Sequence, residues 1–179
     1  MNEGMTPPPF QALIDEHRAA VLSFLRGIVG RDDADDCLQE TFLAALRAYP
    51  PADARNLRGW IFRIAHNKAI DHQRERARAP QPAGEPELLD AAAPEGAPGW
   101  LGGSRRAGTP GRDSVIWSAV AELPEGQRAA VLLRFAVDLR YGEIGAALEC
   151  SEDAARRRVH DGLRNLRAAT APAGKEAAA

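Results

Sequence analysis

Between residues 79 and 112 the sequence reads APQPAGEPELLDAAAPEGAPGWLGGSRRAGTPGR, and 13 of these 34 residues are glycine or proline. Each proline removes a backbone donor and each glycine raises the entropy cost of order, so neither helix nor sheet is expected to survive that density. The interval 79–112 is predicted to be a flexible linker. It divides the 179-residue chain into an N-terminal lobe, 10–78, and a C-terminal lobe, 113–168. Both are small for a single self-sufficient core, so each is expected to lean on a partner. Trp100-Leu101 inside the linker is either a stray apolar pair or a small anchor that docks it onto a lobe or another protein.

Hydrophobic periodicity predicts an all-α chain. In the N-terminal lobe Phe10, Leu13, Ile14, His17, Val21, Leu22, Phe24 and Leu25 recur at three- and four-residue steps, and Gly27 and Gly30 interrupt them. That is one amphipathic helix with a glycine stop. A second is expected to start at Asp32 or Asp33 as N-cap. Its apolar set is Ala34, Cys37, Leu38, Thr41, Phe42, Ala45 and Leu46, and it runs to Pro50-Pro51. A third opens with Leu57, Trp60, Ile61, Ile64 and Ala65 and grows polar toward Arg78. In the C-terminal lobe helices are predicted at 115–123 and 127–137, with Pro124 at the start of the second. Two more follow at 141–149 and 152–168, joined only by Cys150 and Ser151. Such a tight junction, with Ser151 as N-cap, is the signature of a helix-turn-helix. No run alternates with period two for long enough to make a sheet, and 169–179 reads as a frayed tail.

Charge is sorted along the chain although the total is only -2. A near-neutral total excludes polyanion binding by bulk charge. From Asp32 to Glu40 there are five acids and no base, whereas from Arg55 to Arg78 seven bases face two acids. The helix dipole accounts for acids in a first turn, but Asp36, Gln39 and Glu40 lie beyond it and suit a basic partner surface. The third helix interleaves Arg63, Lys68, Arg74, Arg76 and Arg78 with Trp60, Phe62, His66 and Asn67. Cations for phosphates, an amide for a base edge and aromatic faces together suit melted nucleic acid, although Trp60 shares the inward face and reads first as core. The last helix carries Arg156, Arg157, Arg158, Arg164 and Arg167. Arg156 and Arg157 stand where a recognition helix reaches base edges, and Arg158 and His160 stand near phosphate.

Enzymatic chemistry finds little support. His66 and His72 are six residues apart and do not share a helix face, no metal-ligand or nucleophile constellation occurs, and no glycine-rich phosphate loop joins a strand to a helix. His17, His66, His72 and His160 read as core or surface histidines. No catalytic residue, metal or cofactor is predicted. Cys37 and Cys150 are distant from each other and read as small buried residues, which suits a reducing compartment. Without a secretory start or a membrane-length apolar run, the chain is expected to be soluble, cytoplasmic and without membrane insertion.

Three ordered segments, DADDCLQETFLAAL (33–46), LRGWIFRIAHNKAIDHQRERAR (57–78) and LPEGQRAAVLLRFAVDLRYGEIGAALECSEDAARRRVHDGLRNLR (123–167), resemble the extracytoplasmic-function sigma factors of bacterial RNA polymerase. The resemblance spans both lobes and implies a region-two-like bundle followed by a region-four-like helix-turn-helix. It implies that Asp36, Gln39 and Glu40 grip core RNA polymerase. It gives the helix of Arg63, His66, Asn67, Lys68 and Arg74 the task of recognising and melting the minus-ten element, with the 49–56 loop holding a flipped base of the non-template strand. Arg156, Arg157, Arg158 and His160 would read the minus-thirty-five element in duplex DNA. An anti-sigma factor is a further implied partner. The chain departs from the family's usual pattern in its proline-rich loop PPADARN and in Ala154. Arg140 replaces a capping hydroxyl, and Gly142 and Gly145 are each expected to weaken their helix by up to about 1 kcal/mol relative to Ala.

The reading that follows is a dissociable initiation subunit, with each lobe binding DNA weakly and polymerase holding both at a fixed spacing. A helix-turn-helix repressor acting without polymerase is the alternative. It explains the last two helices and leaves the acidic stripe unused. A helix-binding adaptor, the third reading, predicts that losing Arg156 and Arg157 leaves transcription unchanged.

Overall fold

The computed structural model describes residues 7–51, 56–78 and 110–170 as seven helices with no strand among them. The linker up to 109, its Trp100-Leu101 pair, most of the PPADARN loop and the tail from 171 lie outside the described residues. No helix among the described residues is long and apolar enough to cross a membrane.

The first helix, α1 (Phe10–Val29), buries Leu13, His17, Val21, Phe24, Leu25 and Ile28, a stripe at the spacing read from the sequence. Gly27 does not interrupt it. The helix runs through to Val29, and Gly30 at φ 91°, a left-handed conformation that only glycine adopts freely, makes the stop. Gly27 is instead a contact seat: a Cβ there would lie 2.7 Å from Cδ1 of Leu132. Neither Asp32 nor Asp33 caps the second helix, α2 (Arg31–Arg47). The stop residue Gly30 occupies the N-cap, and both aspartates fall in the first turn, where the helix dipole favours them. The helix ends at Arg47, ahead of the two prolines. Leu46, expected in the core, is 53% exposed.

Helix α3 (Leu57–Arg78) starts where the side-chain oxygen of Asn56 accepts the Gly59 amide at 2.8 Å. It buries Ile61, Phe62, Ala65 and Ala69. Phe62 meets Phe24 edge to face at 5.8 Å between centroids. Trp60 is half-buried, packed against this core and tilted against Tyr49.

In the C-terminal lobe α4 (Pro110–Ala121) begins inside the interval read as linker, since proline is tolerated in a first turn where the amide has no helical partner. The helix expected over 127–137 is two pieces. Helix α5 (Glu125–Val131) widens into a π-helical turn over Leu132–Ala136. Arg134 fixes the exit from that turn by donating to Asp138 Oδ1 (2.9 Å) and to the Leu139 carbonyl (3.1 Å), with Asp138 at φ 55°. Then come α6 (Tyr141–Ala147) and α7 (Glu152–Thr170), the latter reaching two residues into the segment read as tail. Ser151 caps α7, its hydroxyl accepting the Ala154 amide at 3.2 Å. Lacking a hydroxyl at residue 140, α6 is capped from inside: the Glu143 carboxylate accepts the Arg140 amide at 2.7 Å.

The two lobes share one core. Val21, Phe24, Leu25 and Phe62 belong to the same buried cluster as Leu132, Leu133, Leu139, Ile144 and Val159. The Arg58 guanidinium donates to the Val137 carbonyl, and Arg63 stands 3.8 Å from Glu149. The partner that each small lobe needs is, in this state, the other lobe.

The two glycines of α6 differ in kind. A Cβ on Gly145 would lie 2.7 Å from the Cys150 carbonyl oxygen and 3.4 Å from the Glu152 nitrogen, both backbone atoms of the tight turn. On Gly142 it would meet only Glu152 Oε2, at 3.5 Å. Gly145 is thus what allows the helix-turn-helix to close, rather than a weakness. Gly145→Ala is expected to cost about 1–3 kcal/mol by forcing the turn apart. Gly142→Ala is expected to add up to about 1 kcal/mol of helix propensity. Urea denaturation of the two variants checks the opposite signs.

Candidate nucleic-acid and polymerase interfaces

On α2, Asp36, Gln39 and Glu40 are exposed and follow one another at helical spacing. The basic helix beside them takes up part of the acidic charge. Lys68 reaches Glu40 at 3.4 Å, and Arg76 pairs with Asp33. His72 Nε2 lies 3.2 Å from the same Asp33 carboxylate, an electrostatic contact and not an aligned hydrogen bond. Asp36 and Gln39 have no such partner among the described residues. Leu43 and Leu46, each 53% exposed, continue the Asp36–Glu40 face by one and two turns. Hydrophobic spacing had assigned Leu46 to the core and passed over Leu43. An acidic stripe ending in bare leucines suits a basic, partly apolar protein surface better than solvent.

The α3 candidates divide between two environments. Asn67 and Arg74 are exposed, and Lys68 is half-buried by its pairing with Glu40. His66 is half-buried at the contact between the lobes, and Arg63 lies at its exposed edge. Arg63 pairs with Glu149, and His66 stands beside Phe24 at 6.4 Å between ring centroids, its Nδ1 buried without a hydrogen-bond partner. Burial lowers the His66 pKa below the ordinary 6.5, with Arg158 adding to the effect and Glu125 and Glu149 opposing it. His17 is lowered chiefly for the same reason. The folded chain therefore binds fewer protons than the unfolded one just below pH 6.5. Stability from these two neutral histidines is complete above that value and is lost as pH falls through the depressed values. Urea midpoints measured from pH 7 to pH 5 should fall, and His66→Gln should flatten part of that fall; an unchanged slope would refute the assignment.

Helix α7 presents Arg156, Arg157, His160 and Arg164 on one exposed face. Arg156 is held by Glu152 at 3.1 Å and Asp153 at 3.6 Å, and its guanidinium lies over the Tyr141 ring at 5.2 Å. Arg157 has no partner among the described residues. His160 is near Asp161 at 3.6 Å, and Arg164, left out of the sequence-derived site, pairs with the same carboxylate. Arg158 does not join this face. It is half-buried, turned back toward Gly126, and donates to Cys150 Sγ at 3.4 Å.

Among the described residues no group of three His, Cys, Asp or Glu side chains is placed to hold a metal ion. Burial, reinforced by Glu40, Asp33 and Asp36, pushes the Cys37 thiol up to about 11, so at neutral pH it is a protonated, inert core group.

A helical chain with a helix-turn-helix exposing an arginine face, and a basic helix paired with an acidic one, has the build of a DNA-binding transcription factor. The comparisons with known proteins narrow that class. The Sigma-70 region 2 family matches residues 13–79, and the Sigma-70 region 4 family matches residues 114–166. The chain is 34% identical over 140 residues to the ECF RNA polymerase sigma factor ShbA of Streptomyces griseus, covering 77% of this chain and 72% of that one. It is 30% identical over 161 residues to the ECF RNA polymerase sigma factor SigE of Mycolicibacterium smegmatis, covering 89% of this chain and 61% of the relative's length. The chain belongs to the extracytoplasmic-function sigma factors of bacterial RNA polymerase. Among solved structures, the sigma factor RpoE of Bartonella quintana, in complex with the anti-sigma factor NepR, shares the fold at a TM-score of 0.65 and 20% identity. That match covers 92% of this chain and 98% of that one. CnrH in complex with the cytosolic domain of CnrY matches at a TM-score of 0.60 and 23% identity, covering 89% and 85%.

Proposed function

We propose that this protein is a dissociable initiation subunit that directs core RNA polymerase to promoters in the cytoplasm and helps open them, with no catalytic residue of its own. The observation that carries this reading is the exposed α2 face, where Asp36 and Gln39 lack partners among the described residues, beside the bare Leu43 and Leu46. A repressor acting alone has no use for such a face.

In this reading residues 10–78 bind polymerase and the minus-ten element, and residues 113–168 bind the minus-thirty-five element, with 79–112 as the link. Asn67, Arg74 and the exposed Arg63 contact the melted strand, while His66 joins them once the lobes part. Capture of an unstacked base supplies part of the melting free energy, so no nucleotide hydrolysis is needed. An anti-sigma partner fits too, since Val115, Ile116 and Phe135 give the C-terminal lobe exposed apolar positions of its own, in addition to those of α2.

The test is transcription in vitro from a genomic promoter library with core polymerase. Discrete start sites sharing two spaced motifs support the reading. No transcription above core alone, with the free protein retaining duplex DNA, would sink it in favour of the repressor.

A further inference from the structure

Two arginines from different parts of the C-terminal lobe converge on one aromatic ring. Tyr141, the first residue of α6, is half-buried against the shared core. The Arg134 guanidinium lies over its ring at 5.5 Å and that of Arg156 at 5.2 Å. Like charges on one ring repel, and here Asp138, Glu152 and Asp153 offset them. Arg134 is tied into the turn before α6 by Asp138 and the Leu139 carbonyl. Arg156 is thereby an exposed arginine whose side chain is already fixed, while its neighbour Arg157 has no partner among the described residues.

That contrast matters on DNA. Reading a guanine takes a planar fork presented in one orientation to two acceptors on the base edge, whereas neutralising a phosphate needs only a positive charge nearby. A guanidinium held against an aromatic face also loses less freedom when it binds. We propose that Tyr141 is a positioning residue for upstream-element recognition. Its ring presents Arg156 to one base pair, and Arg157 supplies sequence-independent phosphate attraction. The inference rests on the promoter-binding reading of α7.

The test uses holoenzyme and a promoter library randomised across the upstream element, with transcripts sequenced for wild type and four variants. Tyr141→Leu should lose about tenfold of the preference at one base pair, the size of one bidentate contact, and leave the others intact. Tyr141→Phe keeps the ring face and should keep the preference. Arg156→Lys, which leaves Tyr141 and the fold in place, should lose preference at the same base pair because an ammonium has no fork. Arg157→Ala should lower output on all sequences alike. Tyr141→Leu lowering every sequence in proportion, Arg156→Lys keeping the preference, or Arg157→Ala shifting a single base pair would each overturn the proposal. A wild-type holoenzyme with no upstream preference at all would instead overturn the promoter-binding reading beneath it.

Discussion

Changing Asp36, Gln39 and Glu40 together to Ala is expected to lower polymerase-dependent transcription by about 100-fold at limiting protein, the loss of a few interface hot spots. All three side chains are exposed. Among the described residues only Glu40 of the three has an ion pair, a surface contact with Lys68 worth at most about 1 kcal/mol. Unfolding by urea should therefore move little while transcription collapses. Leu43→Asp with Leu46→Asp should have a comparable effect on transcription for a different reason, because it places charge where an apolar surface must dock. If the leucine pair is silent and the acidic triple is not, the polymerase contact is electrostatic and should weaken steeply with salt. If neither change affects transcription, α2 is not the polymerase face.

How far the sequence showed this in advance depended on the range of the interaction concerned. The helix-turn-helix was legible because its determinants are local: the three-and-four periodicity of α6 and α7, a two-residue junction and Ser151 as cap all lie within about thirty residues. The span of α3 was legible for the same reason. Features set by distant residues were not. Gly27 reads as a helix breaker until Leu132 is seen packed on it, and Gly145 reads as a soft spot until the Cys150 carbonyl is placed beneath it. Apolar spacing identifies a leucine but not what covers it, so Leu46 was assigned to the core although it faces outward with Leu43. Arg158 was read with His160 as a contact near phosphate because consecutive arginines look alike in sequence. On a helix each is turned about a hundred degrees from the last, and that rotation points Arg158 back at Cys150. Asp33 was read as a candidate N-cap, but it falls in the first turn and its contacts with His72 and Arg76 depend on how α2 lies against α3.

The contact between the lobes bears most directly on mechanism, since a chain closed in this way cannot occupy both promoter elements. Elements centred near positions minus ten and minus thirty-five are separated by roughly 85 Å of duplex at about 3.4 Å per base pair. Here the Arg58 guanidinium reaches the Val137 carbonyl, and Arg63 is engaged by Glu149. On the proposed assignment of one element to each lobe, activity on a two-element promoter requires the lobes to part, which frees the exposed Arg63 from Glu149 and uncovers the half-buried His66. A covalent tie at the contact should be decisive. The Cβ built on Gly27 lies 2.7 Å from Leu132 Cδ1 and 3.4 Å from its Cγ, so Gly27→Cys with Leu132→Cys brings two thiols within bridging reach. The native Cys37 is buried and protonated and should not compete, and the partly exposed Cys150 is changed to Ala in every sample so that the engineered pair alone can form the bridge. The oxidised double variant is expected to give only background transcription with core polymerase, and dithiothreitol should restore it to the level of the reduced sample. Comparing the two redox states of one protein cancels whatever stability is lost by shortening Leu132. Equal transcription from the oxidised and reduced forms would mean that initiation does not require this contact to open, and that the half-buried His66 is not a promoter contact.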